Sequence, residues 1–87
     1  MTSIPQTIAH AMKMQARFEN AKPEEENERL FEWLCAEIAH ANIAGIDWVQ
    51  SPSRPVESLQ DYNTYKLFAR TLATVRAVAP ARHIKVA

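Results

Sequence analysis

Eighty-seven residues, 47% hydrophobic and 23% charged, suffice for one globular domain and argue against general disorder. A formal net charge of zero disfavours a strongly basic nucleic-acid binder, and the single cysteine, Cys35, excludes an intramolecular disulfide framework. No stretch approaches the roughly 20 apolar residues of a membrane span. The opening MTSIPQTIAHAMKM has no basic cluster leading an apolar run, so no secretory leader is expected and the location is taken as cytoplasmic. Charge is unevenly spread: up to Ser53 four Lys/Arg face eight acids, and from Arg54 onward six face two. Such a dipole steers a partner or holds two subunits antiparallel, unless the two halves neutralise each other within one fold.

The first predicted helix covers about residues 4–20. Ser3 with Gln6 three residues on has the spacing of a capping box, and Pro5 is tolerated in the first turn, where no intrahelical donor is lost. Ile4, Ile8, Ala11, Met12, Gln15 and Phe18 follow helical spacing as its buried stripe, with His10, Lys13 and Arg17 on the opposite side.

The second predicted helix runs over 23–44. Pro23 suits its first position, and Glu24, Glu25 and Glu26 complement the positive end of the helix dipole. Leu30, Phe31, Leu34, Ile38 and Ala41 line one face, with Cys35 at its edge. Gly45, the only glycine, is placed to end the helix in the left-handed conformation, with Ile46 closing back on the last turn. At roughly 100° per residue, Trp33, Ala36, His40, Ile43 and Ala44 form a second stripe on the far side. A helix in a bundle with one core needs one apolar stripe. The second one therefore awaits the Trp48 loop, another subunit or a target protein, with Arg29, Glu32 and Glu37 as a polar rim.

Residues 45–57 read as a long Pro/Ser-containing loop, with Asp47, Trp48 and Val49 extended and Trp48 and Val49 available to pin it to the core. The third helix is predicted over 58–79, capped by Ser58 with Asp61 and apolar along Tyr65, Phe68, Leu72, Val75 and Ala79. It ends before Pro80, and the tail 80–87 is expected to be frayed or extended. The fold class is all-α, a small three-helix bundle forming one domain over 1–87.

No nucleophile motif exists, and one glycine is too few for a phosphate-cradling loop, so neither catalysis nor a cofactor is expected. Glu37 and His40, at i and i+3, have the spacing of a di-iron helix motif, but such sites need two copies and further glutamates; the pair reads as an exposed polar edge, and no metal is expected. Tyr62, Lys66 and Arg70 recur at i, i+4 and i+8 on the third helix, with Arg54 before it and Arg82, His83 and Lys85 after it. Tyr62, Lys66, Arg70, Arg82 and Lys85 are the candidate nucleic-acid contacts. The acidic second helix and the long loop before the third count against that reading. The expectation is a small, non-catalytic interaction or regulatory protein of the adaptor or inhibitor kind, binding another protein or itself as a homodimer. Its contact residues are Trp33, Ala36, His40, Ile43 and Trp48, with nucleic-acid binding as the alternative.

Overall fold

Ser3 starts the first helix through the predicted reciprocal cap: its hydroxyl accepts from the Gln6 backbone N–H, while the Gln6 side chain accepts from Ser3 N–H. Two unpaired donors of the first turn are thereby satisfied. The computed structural model describes residues 3–48 and 52–86, with side chains as far as Val78. Its helices are α1 (Ile4–Glu19), α2 (Glu26–Ala44) and α3 (Leu59–Val86), with a short 3-10 turn at Pro23–Glu25 leading into α2. The first turn predicted for the second helix is thus wound more tightly than α-helix, with Pro23 and two glutamates at its start.

Gly45 ends α2 at φ +76°, and Ile46 N–H reaches back to Ala41 C=O at 2.8 Å, as the glycine position predicts. The described residues between α2 and α3 form no helix or strand, and no strand occurs among the described residues at all. Trp48 does pin this connection, meeting Phe68 edge-on at 5.5 Å; Val49 lies outside the described residues. A second anchor comes from Tyr65, whose hydroxyl donates to Arg54 C=O at 2.8 Å. Ser58 caps α3 by accepting from Asp61 N–H. The Asp61 carboxylate bonds to Arg54, accepting from both terminal guanidinium nitrogens, and it also accepts from Glu57 N–H.

The far end of α3 differs from expectation: the helix continues through Pro80 to Val86. Proline supplies no N–H to the carbonyl of Arg76 and crowds it. Alanines at 77, 79 and 81 favour the helical backbone on either side.

The helices form a three-helix bundle in which α2 is the middle member, packed on α1 along one side and on α3 along another. The buried residues Leu30, Trp33, Leu34, Ala36, Glu37, Ile38, His40 and Ala41 consequently run around most of the α2 circumference. This overturns the expectation of a second stripe facing away from the core: one helix with two neighbours needs two buried faces. The α1 stripe is also turned from its predicted phase. Thr7, Ala11 and Met14 are buried with Phe18 beside them, while Ile4 and Met12 are exposed. Thr7 can sit inside because its hydroxyl bonds to Ile4 C=O and to His40.

Candidate functional site

Of the five residues expected to contact a partner, three are enclosed. Trp33 is 2% exposed, Ala36 4% and His40 2%. Phe18 of α1 stacks on Trp33, with 5.3 Å between ring centroids. Ile43 alone is exposed, at 47%, and Trp48 is half-buried against Phe68. These positions do not make one surface, so the stripe of Trp33, Ala36, His40, Ile43 and Trp48 is corrected from an outer face to a set divided between core and edge.

Glu37 and His40 are corrected likewise, from an exposed polar edge to the interior. Glu37 is 1% exposed and accepts from Trp33 Nε1 at 2.9 Å, Arg76 Nε at 3.0 Å and Arg76 Nη2 at 2.9 Å. Arg76 also donates to Gln15 Oε1 at 2.7 Å, so one polar network spans all three helices. A buried charge requires such pairing, because an unpaired carboxylate inside a bundle is strongly unfavourable. His40 Nδ1 lies 2.9 Å from Thr7 Oγ1. The Thr7 hydroxyl also bonds to Ile4 C=O, which ties the imidazole to the first turn of α1. Nε2 finds no hydrogen-bond partner among the described residues, and burial holds the imidazole pKa below its ordinary value.

The candidate nucleic-acid residues are also split. Tyr62 donates to Glu26 at 2.8 Å and tilts against Phe18, so it serves the seam between helices. Burial, then the neighbouring Glu26, raise its pKa. Lys66 lies 5.6 Å over the Tyr62 ring, and Arg70 is exposed; neither makes an ion pair among the described residues. Arg54 is spent on Asp61, whose pKa that hydrogen bond holds below the usual carboxylate range. Arg82 and Lys85 fall on α3, with side chains outside the described residues.

The structure brings a different set together. A groove of about 540 Å³ runs between α1 and α2. One wall is His10, Lys13, Met14 and Arg17, at i, i+3, i+4 and i+7 on a single face of α1. The other is Phe31, Glu32, Cys35, Ala36 and Ala39 of α2. Met14 and Ala36 are buried and Phe31 is half-buried, so the floor is apolar. Lys13 and Arg17 are exposed and unpaired among the described residues, whereas Glu32 is drawn to Arg29 Nη1 at 2.9 Å. The accessible charge of the groove is therefore positive. The Cys35 thiol is exposed at its edge, with its pKa raised by partial burial, so it is mostly protonated at neutral pH. Among the described residues no group of three His, Cys, Asp or Glu side chains is arranged to hold a metal ion.

The sequence places His10, Lys13 and Arg17 together on the side of α1 opposite its predicted stripe. The α2 wall is not legible in the sequence: Phe31 falls on the predicted core face with Leu30 and Leu34, and Cys35 at its edge, and periodicity alone does not separate groove from core. Comparison with protein-family models, with curated proteins and with solved structures returned no match. No helix among the described residues is long and apolar enough to cross a membrane.

Proposed function

We propose that the protein acts by binding another protein in the groove between α1 and α2, as a small regulatory module rather than a catalyst. The observation that carries this reading is the groove itself: an apolar floor, where the core residues Met14 and Ala36 come up between the helices, beside two unpaired cations. Apolar anchors seated in such a recess supply affinity, and the charged rim supplies selectivity. The buried polar groups support a structural role for the interior. Glu37, Arg76, Gln15 and Trp33 satisfy one another's hydrogen bonds, although Gln15 and Arg76 also line a depression of about 450 Å³ on the α3 side. The free thiol of Cys35 fits a reducing compartment, and we place the protein in the cytoplasm. Self-association through Trp33 is not carried forward, because its indole is enclosed by its own chain.

Affinity capture from the native lysate tests the reading, comparing wild type with Ala39→Glu. Position 39 is exposed and lines the groove, so the longer, charged side chain obstructs it without touching the core. Wild type should retain a protein that Ala39→Glu loses, with the two melting alike. Equal capture by both would place the contact elsewhere. Capture that is lost in Lys66→Ala/Arg70→Ala and sensitive to nuclease would favour nucleic acid.

A further inference from the structure

We infer that the occupant of the α1–α2 groove is an acidic amphipathic helix of the partner protein, an inference that rests on the protein-binding reading above. Three observations lead there. The lining residues span His10 to Arg17 on α1, a length of roughly 10 Å or two helical turns. Two turns of a docked helix present apolar side chains at i and i+3 or i+4, which is what a short recessed floor can accept. The α1 wall beside that floor is positive, with Lys13 and Arg17 exposed and unpaired among the described residues, while Glu32 on the α2 wall bonds to Arg29 at 2.9 Å. A carboxylate on either flank of the docking helix meets an unpaired cation; a lysine there meets repulsion. Duplex nucleic acid fits less well. The floor offers apolar surface where a phosphate backbone needs donors.

Cys35 supplies the readout, as the chain has one cysteine and it lines the groove. The rate of its alkylation is measured with the full chain in the presence of three synthetic amphipathic peptides. They share a pair of leucines at i and i+4 and carry glutamate, glutamine or lysine on the flanks; a duplex oligonucleotide is the fourth probe. The glutamate peptide should slow alkylation at least about threefold, and the effect should fade between about 50 and about 500 mM salt, where exposed charges become screened. Lys13→Glu/Arg17→Glu, which alters two exposed positions, should abolish protection by the glutamate peptide and confer protection by the lysine peptide. That reversal is a result an unfolded variant cannot give. Equal protection by all three peptides would overturn the acidic occupant while leaving the groove as a binding site. No protection by any peptide would remove both readings. Stronger protection by the oligonucleotide, or protection that grows with the concentration of the protein alone, would overturn the inference in favour of nucleic acid or of a second copy.

Discussion

At the scale of single residues, the decisive pair is Glu37 and Arg76. Their side chains are almost wholly removed from water, and removing one partner strands the other charge. Glu37→Ala should therefore cost roughly 3–5 kcal/mol in urea unfolding, far more than an exposed ion pair is worth. Replacing both by methionine should recover most of that loss, leaving mainly the orphaned donor of Trp33. A double variant as unstable as the single one would show that the pair does not act as a unit. His40 makes a second residue-scale prediction. Burial lowers its folded pKa below the ordinary 6.5, so the unfolded chain binds the proton more readily. Stability is then full above about pH 6.5 and declines as pH falls from there toward the folded value. Asp61, held low by Arg54, contributes stability above its ordinary 3.8 that is lost only at lower pH, so the two windows separate. Chemical denaturation between pH 7.5 and 5, conditions spanning about the imidazole range, should show a slope that His40→Gln flattens. An unchanged slope would place the titration elsewhere.

At the scale of elements, α2 behaves as a helix with two insides. Leu34 and Trp33 are adjacent in sequence, fully buried, and directed into different parts of the core. Both Leu34→Ala and Trp33→Ala should lower stability by several kcal/mol, roughly 2–5 for the leucine and 3–5 for the tryptophan. Thermal melts of the two variants check this. A Trp33→Ala protein that melts like wild type would return Trp33 to the surface. The contrast with α1 is instructive. There the buried line Thr7, Ala11, Met14 and Phe18 is narrow, and its polar first member is paid for by His40 across the interface. His10, Lys13 and Arg17 flank that line at Met14, where α1 borders the groove.

At the scale of the whole molecule, the acidic and basic halves of the chain are joined inside the fold. Arg76 of the basic half meets Glu37 of the acidic half, and Tyr62 meets Glu26 across the same boundary. Some of the sequence dipole is thus neutralised within the molecule. The acids at the start of α2 gather round Arg29, whose guanidinium contacts Glu25, Glu28 and Glu32. The arrangement also makes α3 indispensable. Without it one flank of α2 opens to water and Glu37 loses its guanidinium partner. A chain truncated after Asp47 should retain some helical circular dichroism but lose cooperative thermal unfolding, since two helices of this size bury too little apolar surface. A sharp melt from that fragment would show that α1 and α2 form a self-sufficient unit.

Helix positions, caps and fold class were legible in the sequence because each depends on neighbours along the chain. Ser3 with Gln6, Gly45 and Ser58 lie within a turn of the groups they bond, and the 3.6-residue spacing of apolar side chains is a local property. Pro80 is the exception: the local rule that proline ends a helix fails at an alanine-rich end whose backbone carries on to Val86. Which face of α2 is outside could not be read locally. A stripe of Trp33, Ala36 and His40 looks the same whether water, a partner or α1 covers it, and only the packing of three helices decides. The same holds for the polar core. Glu37 and Arg76 are 39 residues apart, and Gln15 and Arg76 are 61 apart, so no window along the chain contains the network. A glutamate read alone belongs in water; it belongs inside only when the fold delivers an arginine to it, because desolvation of one charge is offset only by the other.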